Sequence, residues 1–144
     1  MEENFSKLIR NNWDIEDKKT GLYSPLVLAY LGDDVYDLVV RSILVEMTNE
    51  PVNRLHRKAA SLVKASAQAE FFHRVEGMLT EEETAVYKRG RNAKSNTMAK
   101  NASQGDYLKA TGFEAVLGYL YLNDRMDRVL ELVKKGIELT GLAL

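Results

Sequence analysis

The chain contains no cysteine, which excludes disulfides, zinc–thiolate sites and thiol nucleophiles together. Proline is nearly absent as well. Pro25 and Pro51 are the only two, and each stands where a helix could begin. Long apolar runs are missing, and nothing approaches the roughly 18 consecutive apolar residues of a membrane helix. Residues Met1 to Phe5 lack the basic and then apolar pattern of a signal peptide, so a soluble cytoplasmic protein is expected. No useful stretch alternates apolar and polar residues in the manner of a strand, and no internal repeat or low-complexity tract occurs. The two histidines, His56 and His73, are too far apart for a short-spaced metal pair, and neither is followed by aspartate. Gly-rich phosphate loops and a nucleophile-elbow serine are also missing.

What remains is a chain of 144 residues, 45% of them hydrophobic, enough for one domain with a real core. Its net charge of −1 conceals an asymmetry. Residues 1–53 hold 5 Lys/Arg against 10 Asp/Glu, residues 54–109 hold 11 against 6, and residues 110–144 hold 4 against 5. The basic middle third could face phosphates, or it could be an ordinary solvated surface.

The apolar spacing predicts helices throughout. Ser24-Pro25 opens a run to Met47 in which Leu28, Leu31, Val35, Leu38, Val39, Ile43 and Met47 share one face. A second helix is expected from Pro51 to about Val75. A third starts at Thr80, where Thr80-x-x-Glu83 has the form of a capping box. A polar stretch over 95–105 reads as a loop. A fourth helix is expected over about Asp106 to Leu122 and a last one over about Arg125 to Leu139, with Gly141 as its stop. Trp13, Tyr119 and Tyr121 read as core or interface residues rather than base-stacking platforms. The fold class is therefore all-α, with residues 1–144 forming a single domain.

Three features could carry chemistry. Asp33, Asp34 and Asp37 interrupt the apolar first helix, and Asp33 and Asp37 share a face. Like charges at that spacing destabilise a helix unless a cation lies between them. Gly32 costs a helix about 1 kcal/mol relative to alanine, so it could serve close approach by another helix or a ligand. The acids are either metal ligands or a solvated face. Glu114 stands alone between Asp106 and Asp124 among Phe113, Ala115, Val116 and Leu117, with Gly112 and Gly118 on either side. An acid in such surroundings is paired, capping or a metal ligand. Magnesium suits such a pair, since it binds through one or two carboxylates together with waters and phosphates. The third feature is Lys88, Arg89, Arg91 and Lys94 with Asn92 and Ser95, a phosphate-gripping composition that is also ordinary at a helix end. His56-Arg57-Lys58 and Lys64 could extend that basic face.

These motifs resemble those of a known family. Leu28-Ala29-Tyr30-Leu31-Gly32-Asp33 is similar to the Leu-Glu-Phe-Leu-Gly-Asp signature helix of the ribonuclease III catalytic domain. Thr111-Gly112-Phe113-Glu114-Ala115-Val116-Leu117-Gly118 is similar to its second acidic motif, in the same order and at a matching separation. With Lys88 to Ser95, the resemblance extends to the short bacterial subgroup called Mini-ribonuclease III and covers about residues 21–139, the expected catalytic core. Ordinary ribonuclease III has acids where this chain has Ala29 and Thr111, and both departures resemble the subgroup pattern.

The resemblance implies a ribonuclease III-like helical endonuclease that hydrolyses double-stranded RNA to 5′-phosphate and 3′-hydroxyl ends. It implies Mg²⁺, with Mn²⁺ as a substitute, held by Asp33 and Glu114 as the catalytic acids, and Asp37 as a candidate supporting acid. Lys88, Arg89, Arg91, Asn92, Lys94 and Ser95, with Arg57 and Lys58, would bind RNA. The implied partners are a second copy of the chain, precursor 23S ribosomal RNA and a ribosomal protein, with no membrane. The chain ends where a longer relative would continue into an RNA-binding domain, so grip on RNA is expected from the catalytic domain itself. The alternative is a non-catalytic member of the fold that binds structured RNA or a ribosomal particle. A helical nucleotide pyrophosphohydrolase would want facing acidic pairs, which only Glu81-Glu82-Glu83 and Asp34-x-x-Asp37 approach.

Overall fold

Ser24 opens the longest helix, α2 (Pro25–Met47), with its hydroxyl accepting from the Val27 amide at 3.2 Å and Pro25 in the first turn. The computed structural model describes residues 4–17, 23–93 and 103–140, and among them every regular element is helical. Around α2 lie α1 (Phe5–Asn12), α3 (Val52–Val63), α4 (Ala65–Val75), α5 (Glu81–Asn92), α6 (Gln104–Leu122) and α7 (Met126–Thr140). A single 3₁₀ turn, Glu76–Met78, follows α4.

The expected α2, α5, α6 and α7 form within two residues of their anticipated limits. At the start of α5, Thr80 and Glu83 make the full reciprocal capping box, at 3.1 and 2.9 Å. The proposed stop at Gly141 and most of the expected 95–105 loop lie outside the described residues. Ser103 caps α6 by accepting from the Asp106 amide at 3.1 Å, so α6 begins two residues earlier than expected.

The expected single helix from Pro51 to Val75 is two helices. Lys64 breaks it, with extended backbone at φ −63°, ψ 154°. No glycine or proline marks the break. Two side chains take carbonyls that a continuing helix would give to its own amides. The Tyr36 hydroxyl donates to Leu62 O at 3.0 Å, and Gln68 Nε2 donates to Val63 O at 2.7 Å. A second unanticipated element is α1, tied to the end of α6 by an Arg10–Asp124 ion pair at 2.8 Å.

Helix α6 is the centre of the molecule. It is buried on most of its circumference, as its lack of one polar face requires. Helices α2, α4, α5 and α7 pack around it. Tyr36, Phe71 and Phe113 meet at 5.3 to 5.9 Å between ring centroids, and Phe72 stacks on Tyr87 at 3.8 Å. Tyr121 joins this core, whereas Trp13 is exposed and is not a core residue. No helix among the described residues is long and apolar enough to cross a membrane.

Candidate active site

The site begins with two helices whose backbones touch. A Cβ added to Gly32 would lie 1.7 Å from the Glu114 carbonyl oxygen, and one added to Gly118 would lie 2.0 Å from the Leu28 carbonyl oxygen. Only glycine allows this approach of α2 to α6. Of the two uses open to Gly32, close helix packing is the one realised. Asp33 follows Gly32 directly, so the crossing brings its carboxyl to the same cleft as that of Glu114, close enough for the two to act on each other.

Two acids this close do not both ionise easily. Burial above all, then the hydrogen bond and charge of Asp33, push the Glu114 carboxyl up to about 9, while a hydrogen bond from Gln68 opposes the shift. Burial, with a smaller push from Glu114, likewise holds the Tyr36 phenol well above its ordinary value. Asp33 is exposed and Glu114 is half-buried. Both line an open cleft of about 550 Å³, together with Gln68, Lys64, Tyr107 and Thr111. A carboxyl kept protonated by burial and a neighbouring acid is one that a divalent cation would ionise.

The donor set fits magnesium. Among the described residues no group of three acids or histidines gathers, so the protein offers no closed cage. Two carboxylates facing solvent in a wide cleft leave room for waters and phosphate oxygens, as magnesium prefers. Ala29 and Thr111 line the cleft too and cannot add a third charge. The Thr111 hydroxyl is spent on its own helix, donating to Tyr107 O at 2.9 Å.

Other residues singled out in the sequence are placed differently. Asp37 pairs with Arg41 at 3.2 Å and is not among the residues lining the cleft. Its compensating cation is therefore a side chain one turn on. Lys58 pairs with Glu50 at 2.5 Å. Arg57, Lys88 and Arg89 are exposed. The Arg91 guanidinium lies over the Tyr87 ring at 5.5 Å and donates to Asn92 Oδ1 at 3.2 Å. Lys94 and Ser95 lie outside the described residues. Gly90 packs against α6 at Thr111, Gly112 and Ala115, which brings the end of the basic segment beside the stretch that carries Glu114. Of the acids 81–83, Glu83 pairs with Arg128 at 2.9 Å and Glu82 accepts from the Tyr119 hydroxyl at 3.2 Å. They form no facing set with Asp34 and Asp37.

Gln68 and Tyr107 were not singled out in the sequence, and Lys64 stood out only as part of a basic face. A signal for Gln68 existed: it is the polar member of the buried stripe Gln68, Phe71, Phe72 and Val75 on α4. Lys64 reaches the cleft because the helix breaks at that residue.

The model of the Ribonuclease III domain matches residues 26–125, a span that includes both acids and the basic segment. The chain belongs to the ribonuclease III family. It is 50% identical over 117 residues to a Mini-ribonuclease 3 of Clostridium tetani, covering 81% of this chain and 78% of that protein. It is 44% identical to a Mini-ribonuclease 3 of Thermoanaerobacter sp., covering 96% of this chain and 99% of that one. A protein of Fusobacterium nucleatum with a known crystal structure superposes with a TM-score of 0.75 at 26% identity, covering 81% of this chain and 93% of that one. The Mini-ribonuclease III resemblance and the all-α class are thus both found. Family membership assigns the chain to the endoribonucleases.

Proposed function

We propose that the cleft between α2 and α6 cuts double-stranded RNA by magnesium-dependent hydrolysis of the phosphodiester. The observation that carries this reading is the Asp33–Glu114 pair, brought together in one open cleft by the Gly32 and Gly118 backbone contact. Asp33 and Glu114 would hold Mg²⁺, with Mn²⁺ as a substitute. When bound, the cation supplies Lewis-acid polarisation of the phosphodiester and a water made acidic enough to attack it. The chain's own residues bind and orient the substrate. Lys64 is the cation lining the cleft among the described residues and is suited to a phosphate oxygen. Lys88, Arg89 and Arg91 would contact the backbone of the duplex, reading A-form shape and 2′-hydroxyls rather than base edges.

The working unit is proposed to be a homodimer. Val27, Tyr30, Leu38 and Val45 are exposed apolar residues on one stripe of α2, and Tyr30 also lines the cleft. A second copy covering that stripe would set two clefts side by side, one for each strand. The products would carry 5′-phosphate and 3′-hydroxyl ends. The proposed substrate is precursor 23S ribosomal RNA, with a ribosomal protein as a helper and the cytoplasm as the setting. The test is an end-labelled RNA duplex and its single strands, each incubated with Mg²⁺ and wild type or Glu114→Gln. Cutting confined to the duplex, and lost in the variant, supports the reading; equal cutting by both proteins contradicts it.

A further inference from the structure

Gln68 is 2% exposed, yet it carries a carboxamide into the apolar stripe of α4. Its Nε2 donates in two directions: to Val63 O at 2.7 Å, closing α3, and to Glu114 Oε2 at 3.4 Å. Its Oε1 is buried with no hydrogen-bond partner among the described residues. Leaving a buried amide oxygen unsatisfied costs about 1–3 kcal/mol. Methionine or leucine would fill a similar volume without that cost. Packing alone therefore does not account for a glutamine here.

Its chemistry suits the acid it touches. A buried lysine or arginine at this position would pair with Glu114 and compete with any cation. A carboxamide donates a hydrogen bond and leaves the carboxylate charge intact. The same nitrogen anchors the end of α3, so the direction of the hydrogen bond to Glu114 is fixed by the backbone and not by a free rotamer. Once Glu114 is ionised the contact becomes charge-assisted and tightens. We propose that Gln68 is a positioning residue, holding the Glu114 carboxylate beside Asp33 so that the pair can bind a divalent cation. This rests on reading the cleft as a metal-dependent site.

The test is titration of Mn²⁺ into wild type, Gln68→Met and Asp33→Asn, with bound ion read from loss of the free-ion EPR signal and folding read from circular dichroism. Gln68→Met is expected to remain folded and to bind Mn²⁺ roughly 10–100-fold more weakly, the range for removing an outer-shell partner of a metal ligand. RNA duplex affinity in Ca²⁺ is expected to stay within about twofold of wild type. Cleavage should be lost at low Mg²⁺ and largely recovered at high Mg²⁺. A purely structural role would lower the melting temperature but leave Mn²⁺ affinity unchanged. Wild-type Mn²⁺ affinity in folded Gln68→Met, with binding lost in Asp33→Asn, overturns the role of Gln68 alone. Wild-type binding in Asp33→Asn overturns the metal site itself. Should Gln68→Met not fold, Gln68→Asn is read in its place. It keeps a polar group but is one methylene too short to bridge Val63 and Glu114, so the same weakening is expected and wild-type affinity would again overturn the proposal.

Discussion

Gly32 of α2 and Gly118 of α6 face one another in a reciprocal backbone contact: a Cβ on Gly32 would lie 2.9 Å from Gly118 N, and one on Gly118 would lie 3.2 Å from Gly32 N. This crossing decides where Asp33 and Glu114 meet, so the packing of the core and the assembly of the site are the same event.

Gly32→Ala should therefore force α2 and α6 apart. Overpacking against backbone, which cannot swing away as a side chain can, is expected to destabilise by about 3 kcal/mol. Gly77→Ala is the control, since a Cβ there meets nothing within 4 Å; its effect should stay within about 0.5 kcal/mol. Urea midpoints at unchanged slope measure both.

How far the sequence revealed this arrangement depends on the residue. Ser24, Pro25, Thr80 and Glu83 act on their own neighbours, so the starts of α2 and α5 were legible. The break at Lys64 was not: Tyr36 takes the Leu62 carbonyl from across the fold, and Gln68 reaches back five residues to the Val63 carbonyl, outside the helical spacing. Helix α1 was missed for the same reason, its Arg10 finding Asp124 across the fold. Glu114 could be recognised as an anomaly among apolar residues and paired with an acid of the first helix; the family resemblance singled out Asp33 from Asp34 and Asp37, and the glycine crossing that brings the two together was visible only in the fold. The Lys58–Glu50 pair was not legible because Glu50 lies eight residues back, outside the spacing of helical ion pairs.

Magnesium should stabilise the folded protein through this pair. At about 100 times its dissociation constant, Mg²⁺ is expected to add about 2.7 kcal/mol to wild type and almost nothing to Asp33→Asn. Without metal the sign of the pH dependence reverses the usual carboxylate behaviour. Glu114 is raised from its ordinary 4.5 to about 9, so its neutral form favours the folded state fully below 4.5, and that contribution is lost as pH rises through about 9. Chelated wild type should lose stability over that window, and Glu114→Gln should not. Thermal melts from pH 5 to pH 9, with and without chelator, measure both effects.

The opposite sign belongs to Glu83. Burial raises its carboxyl, but Arg128 and the Thr80 amide overcome that and leave it below the ordinary value. Its contribution is present above the ordinary carboxylate value and is lost as pH falls through the lowered one. Glu83→Gln should destabilise at pH 7 by roughly 3 kcal/mol, the lower end for breaking a buried pair, since Arg128 keeps Glu131 and the Met78 carbonyl. The acid limb of a stability–pH curve should flatten in the variant.

RNA binding should depend on exposed cations and not on captured ones. Replacing Lys88 and Arg89 together by alanine should weaken duplex binding across sequences and reduce the slope of log affinity against log salt by up to about 0.9 for each phosphate no longer neutralised. Lys58→Ala should leave that slope unchanged, because Lys58 is already paired with Glu50. Filter binding at several salt concentrations separates the two outcomes.

The central claim is that Asp33 acts in the chemistry and not in gripping RNA. Wild type and Asp33→Asn are each mixed with one labelled RNA duplex, with and without Mg²⁺, and both cutting and binding are measured. Cutting by wild type only with Mg²⁺, together with an Asp33→Asn protein that binds the duplex but does not cut it, is the expected result. Magnesium-dependent cutting by Asp33→Asn at the wild-type rate would contradict the claim.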